Sequence, residues 1–342
     1  MVASFDSGIR DPALPCTMLI VTNFSSFPSR WVASTGMHGR SVAAHSVAGF
    51  LRYALQPGAV LVVNCDPALL LKLAAVFRFV PFLRAPLISV DLVLRRPRRT
   101  LDRMTVILKR LLFSRVDHYI HYFKDLSGYR EVFGIGPECS SFVPFKPNIR
   151  YRQNVKPQPD GEYVLCMGRS MRDYDTFIAA MERLPYPGAI TKPGAQLLAH
   201  GAQFSRDLAH LPGNLRILDD TGDEESQIRL LGGARLVVLS ILKSNMAASG
   251  ISTALNAMLL GKCVIGSEGP GISDVFSDEL LTVPPEDPLA LAGIIERAWT
   301  DEDLRTKTAT AGNRYALSLG GEPELYQRII NQVVCCGRQG RR

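Results

Sequence analysis

The chain has 342 residues, of which 46% are hydrophobic and 21% are charged. This length favours two domains over one, and this composition excludes a disordered or low-complexity protein. The formal net charge of +7 is unevenly distributed, because residues 1 to 152 hold 20 Lys and Arg against 9 Asp and Glu, whereas the rest hold 19 against 23. The basic half therefore indicates an anionic partner such as lipid, nucleic acid or a phosphorylated substrate.

Short apolar runs alternate with segments of helical periodicity along the first half of the chain. The predicted helices span 40–55, 67–80, 100–115 and 124–133, and the predicted strands lie near 17–23, 60–65, 87–93, 117–123 and 141–145. Such alternation is typical of a parallel sheet with helices on both faces. Residues 146–160 are polar, contain three prolines and lack periodicity, which predicts a linker.

The same alternation restarts after this linker. Strands are predicted at 162–168, 196–200, 214–218, 235–240 and 262–266, and helices at 173–184, 223–232, 250–260, 287–299, 301–317 and 322–334. The predicted fold class is α/β, with two doubly wound Rossmann-like domains facing each other across a cleft. We expect the first domain at 1–152, a linker at 153–161, the second domain at 162–334 and a frayed basic tail at 335–342.

The cysteines and the hydropathy pattern bear on the compartment. The seven cysteines are an odd number without a CxxC pair, which favours reduced, unreactive thiols. The N-terminal residues show no secretory pattern, and the nearest approach to a membrane span, 68–83, is interrupted by Lys72 and Arg78. We therefore expect a cytoplasmic protein that does not span a membrane.

Three predicted strand ends of the second half carry unusual chemistry, in the stretches "GRSMRD", "SNMAASGIST" and "GSEGPGISD". Ser249 or Ser252 is expected to cap a helix that begins near Gly250, where the absent Cβ lets a ligand reach unpaired N–H groups. Such a helix start suits a phosphate, and an arginine pair suits a diphosphate. The simpler interpretation is an ordinary capped helix with solvated arginines. The candidate phosphate arginines are Arg169 and Arg172, and the candidate hydroxyl-side residues are Glu268, Gly271 and Asp274.

The second half resembles the donor domain of GT-B glycosyltransferases, most closely the retaining family 4. The resemblance covers about residues 162–320 and rests on "VLCMGRSMRDYDTFIAAM", "NLRILDDTGDEESQIRLLGGARLVVLS" and above all "GISTALNAMLLGKCVIGSEGPGISDVF". It implies transfer of a sugar from a nucleoside-diphosphate sugar to a glycan or lipid-linked acceptor, with retention and with neither a metal nor another cofactor. It also implies that the leaving diphosphate takes the acceptor's proton.

Site residues follow from this resemblance position by position. Arg169 would contact the diphosphate, and Arg172 would stand near the place of the family's lysine. The family's two glutamates fall on Ala248 and Asn256, so sugar recognition must differ or be lost. Asp91 lies near the family's acceptor-side His-Asp pair, without the histidine. The expected donor contacts are Ser249, Gly250, Ile251, Ser252, Thr253 and Asn256.

Two other functions remain open at this point. The missing glutamates also fit a non-catalytic relative that binds a nucleotide-sugar or a partner without transferring anything. A nucleotide-sugar epimerase of the same fold would need a carboxylate acid/base in the cleft and no second substrate.

The segment 94–116 predicts an amphipathic, strongly basic helix. Eight Lys and Arg stand against Asp102, and the apolar residues recur at helical spacing. One interpretation is that this apolar stripe packs on the first sheet while the arginines are solvated. The other is that the 95–115 helix rests on anionic lipid at the inner face of the cell membrane. Nucleic acid is not an expected partner, because aromatic residues are not interleaved with the arginines.

Overall fold

The computed structural model describes residues 18–80, 82, 83, 85–97, 100–149, 156–192, 194 and 198–339. The described residues form two compact units. The first lies within Met1–Leu92, Leu111–Tyr119 and Tyr326–Arg342, and the second within Val93–Arg110 and Ile120–Leu325. These limits differ from those predicted for the two domains, which stay a prediction.

The strands β1 to β7 form one sheet in the order β2-β3-β1-β4-β5-β6-β7. Their bounds are Met18–Thr22, Arg30–Val32, His38–Ala43, Ala59–Asn64, Leu87–Val90, His118–His121 and Ser140–Phe142. β1 pairs in parallel with β3 and β4, and β4 with β5, as predicted, whereas the edge strand β2 pairs antiparallel with β3. β2 and β3 were not predicted. Residues 40–43, assigned from the sequence to a helix, belong to the strand 38–43, whose side chains alternate between the two faces.

The helices of this part of the chain begin within three residues of the predicted positions, except the first, which begins seven residues later than predicted. Their bounds are α1 Val47–Ala54, α2 Pro67–Phe79, α3 Thr100–Phe113 and α4 Ser127–Phe133. α2 shows the local reason for such a start, since Asp66 accepts a hydrogen bond from the N–H of Leu69 and Pro67 occupies the first turn. Gly134 ends α4 in the left-handed conformation, with φ 71°.

The strands β8 to β13 form a second sheet, in the order β10-β9-β8-β11-β12-β13 with every neighbouring pair parallel. Their bounds are Tyr163–Cys166, Gly188–Thr191, Leu215–Leu218, Ala234–Leu239, Cys263–Ser267 and Leu281–Val283. The strand predicted at 196–200 is wrong: residues 196 and 197 lie outside the described part, 198 and 199 are helical, and the strand ends at Thr191. Successive strands are added on one side of β8 up to β10 and on its other side from β11, which makes the gap between β8 and β11 the topological switch point of the sheet.

The helices of the second half pack with the second sheet as predicted, except the last, which from Tyr326 onward belongs to the first unit, so the prediction that the 322–334 helix covers the second domain is wrong. Their bounds are α5 Tyr174–Met181, α6 Glu224–Gly232, α7 Ile251–Leu259, α8 Pro288–Thr300, α9 Glu302–Ser318 and α10 Glu322–Gln339. The core between α5, α8 and the strands is fully apolar around residues such as Phe177, Leu236 and Ile295. α10 continues to Gln339, so the frayed tail expected from 335 is wrong for 335–339, because buried Val333 and Val334 extend the apolar face of the helix. Residues 340–342 lie outside the described part.

The end of the predicted linker is fixed by two buried cations. Lys262 Nζ donates to the carbonyl of Pro159 at 2.6 Å, and Arg305 Nε donates to the Asp160 carboxylate at 2.7 Å. Burial lowers the pKa of Lys262 to about 8. Residues 150–155 of the linker are outside the described part.

The cysteines and the apolar character of the helices bear on two predictions made from the sequence. The described cysteines are all free, and burial raises the pKa of the Cys166 and Cys263 thiols to about 12, so neither is a nucleophile at neutral pH. Of the helices in the described ranges, none combines the length and the apolar character needed to cross a bilayer.

Candidate functional site

A cavity of about 400 Å³ lies in the second unit at the carboxyl ends of β8 and β11. This is where open α/β sheets bind ligands, because the loops leaving the two strands diverge at the switch point. Six predicted site residues line the cavity: Arg169, Arg172, Gly250, Ser252, Thr253 and Asn256. The structure thus brings together two groups of residues that lie about 80 positions apart in the sequence.

The start of α7 forms one wall of this cavity. Gly250 is the residue before the helix and has φ 92°, a left-handed conformation that glycine adopts without steric cost. Its carbonyl accepts from the N–H of Ala254. The N–H groups of Ile251, Ser252 and Thr253 belong to the first turn, which has no carbonyl partners within the helix. Because they share the positive end of the helix dipole, this wall attracts an anion.

The predicted serine caps are wrong. Ser249 is buried and its Oγ donates to Oδ1 of Asn245 at 2.8 Å, so it neither caps α7 nor reaches the cavity. Ser252 lies inside the first turn, after the capping position. Gly250 takes that position itself, because only its positive φ turns the chain into the helix. Ile251 is buried, so its backbone N–H is the group it presents at the helix start.

Arg172 lies beneath the cavity floor and is 1% exposed. Its Nε donates to the carbonyl of Met167 at 2.9 Å and its Nη1 to that of Ser170 at 3.1 Å, while Nη2 is 3.5 Å from Thr253 Oγ1. Burial lowers the pKa of this guanidinium. These bonds fix a positive charge directly beside the start of α7.

Two glycines let the Arg172 guanidinium reach this position. A Cβ on Gly168 would lie 2.4 Å from Nη2, and a Cβ on Gly250 would lie 3.1 Å from both Nη atoms. Both glycines also have positive φ, at 117° and 92°. The glycine-rich turns found in the sequence therefore accommodate an arginine as well as any ligand.

Arg169 is exposed and lines the same cavity from the β8 end. Its Nη2 lies 2.8 Å from the position that a Cβ on Gly222 would occupy, so it extends across the cavity toward the loop after β10. An exposed guanidinium opposite a helix start is free to form bidentate contacts with a phosphate.

Asn256 on α7 has little hydrogen-bonding capacity left for a ligand. Its Oδ1 accepts from the backbone N–H groups of Asn148 at 2.7 Å and Ile149 at 3.1 Å, and its Nδ2 donates to Gln227 Oε1 at 2.9 Å. The side chain expected to contact a ribose hydroxyl therefore holds residues 148 and 149 in place instead. Gln227 also lines the cavity, and its Nε2 donates no hydrogen bond to another described residue.

Glu268, Gly271 and Asp274 do not line this cavity. Glu268 borders a separate space of about 30 Å³. Asp274 accepts the N–H groups of Gly271, Lys124 and Asp125 at 2.6, 2.7 and 2.7 Å, so its carboxylate fastens a loop rather than a ligand hydroxyl. A Cβ on Gly271 would lie 2.6 Å from the Ala248 Cα, so that glycine allows the turn to pack against the chain before α7.

Sequence reasoning missed several cavity residues, among them Asn148, Thr191, Lys192, Asp220 and Gln227. Thr191 and Lys192 directly follow β9, so correct placement of that strand would have identified them by the strand-end rule. Asp220 follows β10 in the same way. Gln227 and Asn148 gave no local signal, because only the contact with Asn256 draws them to the cavity.

Asp91 belongs to the first unit, where it follows β5 at the carboxyl end. Asp91 and Cys65, which follows β4, have φ values of 49° and 47°, a strained conformation for residues other than glycine. The Cys65 thiol hydrogen-bonds the Asp91 carboxylate, yet burial raises the pKa of Asp91 to about 6. Strain and an elevated carboxyl pKa at adjacent strand ends are characteristic of functional positions.

The comparisons with known proteins concern the family and the fold of the chain. Residues 148–315 match the model of the family glycosyl transferases group 1. None of the curated proteins matches the sequence. Among solved structures, the sucrose-phosphate synthase of Thermosynechococcus elongatus is similar with a TM-score of 0.63 and 15% identity, over 94% of this chain and 89% of that one.

Two further structures show the same similarity. The HepE protein of Anabaena, in complex with UDP and glucose, matches with a TM-score of 0.64 and 14% identity, over 87% of this chain and 86% of that one. The trehalose 6-phosphate synthase of Burkholderia multivorans matches with a TM-score of 0.59 and 12% identity, over 95% and 99%. At such identities the likeness concerns the fold. With the family match, it confirms the predicted GT-B resemblance and the predicted glycosyltransferase class.

Proposed function

We propose that this chain, whose residues 148–315 form a glycosyl transferases group 1 domain, transfers a sugar from a nucleoside-diphosphate sugar to a glycan or lipid-linked acceptor. The observation that carries the proposal is the cavity at the β8–β11 switch point, where Arg172 lies beside the start of α7 and Arg169 lines the same cavity. HepE, which has a similar fold, is bound to UDP and glucose, and this supports a nucleotide-sugar as the donor here.

The diphosphate is held by two kinds of donor. The N–H groups of the first turn of α7 bind one phosphate, and the exposed guanidinium of Arg169 binds the other in a bidentate manner. Arg172 stays in its buried position and adds a fixed positive charge beneath them. Lys192, at the end of β9, adds a further cation to the same cavity.

These groups suit a transfer that retains configuration. The acceptor oxygen forms its bond to the anomeric carbon on the face from which the diphosphate departs. The acceptor's proton passes to the leaving phosphate oxygen as the bond between that oxygen and the anomeric carbon breaks. Arg169 and the helix start stabilise the charge that grows on the diphosphate, and each well-placed donor of this kind lowers a barrier by about 3 kcal/mol. Charge stabilisation by the protein's own cations makes a metal-independent reaction part of this proposal.

Sugar recognition in this chain differs from the two-glutamate pattern. Ala248 presents a methyl group where the family has its first carboxylate, and Asn256 is occupied by the backbone of 148 and 149. We assign the ribose contact to Gln227 instead, because its Nε2 is the donor that remains in this network. The absence of both carboxylates, at Ala248 and Asn256, also favours one alternative function: the protein would bind a nucleotide-sugar without transferring the sugar.

Asp91 is the proposed acceptor-side residue of the first unit. Its carboxylate at a strand end is suited to accept a hydrogen bond from a sugar or lipid-linked hydroxyl. A lipid-linked acceptor requires access to a membrane, and we propose that the protein acts in the cytoplasm at the inner face of the cell membrane. The proposed partners are the sugar donor, the acceptor and the membrane, and we propose no nucleic-acid partner.

The test begins with binding and continues with turnover. The chain is titrated with the diphosphates of uridine, guanosine, adenosine and thymidine, and the one that raises the melting temperature identifies the donor base. Release of that diphosphate from its sugar donor is then measured with a glycan acceptor. Arg169→Ala is expected to abolish release, and Arg183→Ala, an exposed arginine of α5's C-terminal end, serves as its matched control. Binding without release supports the alternative, and no binding of any diphosphate refutes the proposal.

A further inference from the structure

The helix α3 exposes its apolar face. Met104, Ile107, Leu108 and Leu111 are 68%, 74%, 57% and 47% exposed, although they lie at i, i+3, i+4 and i+7 and so form one stripe. No residue from 102 to 111 is buried, and the burial of the helix begins only at Leu112 and Phe113. The expectation that this stripe packs on the first sheet is therefore wrong for the described residues.

Such a stripe points to a partner. Scattered exposed leucines are normal on a protein surface, whereas large apolar side chains aligned along one helix mark an interaction site. The four side chains together offer roughly 450 Å² of surface, and a stable dimer needs about 800 Å² from each copy. The stripe is thus too small to be the face of a stable protein–protein dimer.

The charges beside the stripe select the kind of partner. Arg103 and Arg110 lie about 100° to 120° from its centre on the same flank of the helix, and both are exposed. Asp102 is the acidic residue within the helix. Two copies that paired their stripes in an antiparallel arrangement would bring these arginine flanks together, whereas an anionic lipid surface offers phosphates at the depth where arginines flank an inserted apolar face.

The structure also narrows which basic residues take part. Arg95 donates from Nη1 to the carbonyl of Ala199 at 3.1 Å, and Arg96 pairs with Glu131 at 3.0 Å. Arg115 lies over the ring of Phe77, 5.9 Å from its centroid. The eight basic residues of 94–116 are therefore not equivalent, and Arg103 and Arg110 are the two that lie beside the stripe with neither an ion pair nor a ring contact in the described part of the chain.

We propose that the stripe of Met104, Ile107, Leu108 and Leu111 inserts into the boundary between headgroups and acyl chains of an anionic bilayer, with Arg103 and Arg110 at the lipid phosphates. The proposal deepens the membrane partner of the proposed function and identifies the segment that makes the contact. Its chemistry needs no donor or acceptor sugar, so it can be tested apart from the transfer reaction.

The experiment is co-sedimentation of the full chain with vesicles. One preparation is phosphatidylcholine alone, and the other contains about 30% phosphatidylglycerol. We expect binding about tenfold stronger to the anionic vesicles, reduced when the salt is raised from about 0.1 M to about 0.5 M. The double substitution Ile107→Ser with Leu108→Ser is expected to weaken binding about tenfold. Arg103→Gln with Arg110→Gln is expected to remove the preference for anionic lipid.

A matched control separates this site from general surface hydrophobicity. Leu55→Ser and Leu289→Ser each remove an exposed leucine, 69% and 65% exposed, from other helix ends, and should leave vesicle binding unchanged. The melting temperature and its rise with nucleoside diphosphate are measured for every variant, because the substituted side chains are exposed and should alter neither.

Each outcome decides the inference. Absence of vesicle binding, or binding that the Ile107/Leu108 substitutions leave intact, overturns it. A concentration-dependent dimer that these substitutions abolish would overturn it in favour of a second copy of the chain. Vesicle binding that follows the stripe while no nucleoside diphosphate binds would uphold the inference and refute the proposed function.

Discussion

The Asn256 network offers a test of how the donor cavity is built. Asn256→Ala removes an amide that is 2% exposed and that accepts from the N–H groups of Asn148 and Ile149. Ile149 is itself buried, so its N–H loses its partner without access to water, at a cost of about 1 to 3 kcal/mol. Asn148 is exposed and its N–H turns to solvent, which adds about 1 kcal/mol or less. We expect Asn256→Ala to lower the free energy of unfolding by about 2 to 3 kcal/mol.

Asn256→Asp is the matched variant, because it keeps both backbone hydrogen bonds. A carboxylate accepts from both N–H groups, and the Gln227 amide can rotate so that its Nε2 donates to it. These hydrogen bonds to the new charge, each worth about 1.5 to 3 kcal/mol, offset the cost of burying the carboxylate, so we expect Asn256→Asp to destabilise the protein less than Asn256→Ala does. The new negative charge lies in the cavity proposed to hold a diphosphate, so we expect diphosphate affinity to fall about tenfold even though less stability is lost than with alanine.

The assay is urea unfolding with and without nucleoside diphosphate, combined with calorimetric titration of the same ligand. Because the chain has two compact units that can unfold separately, the transition that shifts with ligand is the one analysed. The reasoning is refuted if Asn256→Ala stays within about 0.5 kcal/mol of the wild type, or if Asn256→Asp destabilises the protein as much as alanine does.

Three further predictions concern glycine, aspartate and lysine positions. Gly250→Ala should lower the free energy of unfolding in urea by about 1 to 2 kcal/mol and weaken diphosphate binding, because the φ of Gly250 is 92°. Gly293→Ala is the control: this glycine lies within α8, a Cβ added to it would have no neighbour within 4 Å among the described residues, and the substitution should stabilise the protein by about 0.5 to 1 kcal/mol. The folded pKa of Asp91, about 6, exceeds the ordinary value of an aspartate, so the stability of the wild type falls as pH rises from about 4 through 6. Asp91→Asn should therefore raise the free energy of unfolding at pH 7.5 by roughly 1 kcal/mol, and by no more than about 3 kcal/mol. A gain that persists at pH 4 would contradict this reasoning. For Lys262, with its folded pKa lowered to about 8, the wild type should gain stability as pH rises from 8 toward 10, and Lys262→Met should lack that gain in melting curves recorded across this range.

Much of the fold could be predicted from periodicity. The runs that became β1, β4, β8 and β12 are short, apolar and bounded by polar turns, and these local features suffice to place a buried parallel strand. β2, β3 and β9 were missed or misplaced because they are short and not uniformly apolar in sequence, so their strand conformation depends on pairing with a neighbour. The error at β9 also concealed Thr191 and Lys192.

The candidate site divides in a similar way. The glycines at 168 and 250 and the arginines at 169 and 172 could be recognised because strand-end glycines and cations have a chemical meaning by themselves. The roles of Ser249, Asn256 and Asp274 could not, because a side chain's hydrogen-bond partners are distant in sequence. Asp274 binds backbone groups about 150 positions away, and no local pattern specifies that.

The sequence by itself determined the α/β class, the position of most strands and the stretch that carries a glycosyltransferase domain, because these depend on short-range periodicity and on motifs a few residues long. The tertiary structure alone decided which polar groups remain available. In the fold, the buried guanidinium of Arg172 lies next to Gly168 and Gly250, and the side chain of Asn256 is hydrogen-bonded to the backbone of residues 148 and 149. The tertiary structure also left the apolar stripe of α3 exposed. Whether a side chain is available to a ligand or a partner depends on its neighbours in three dimensions, because the groups that hydrogen-bond it or bury it come from elsewhere in the chain.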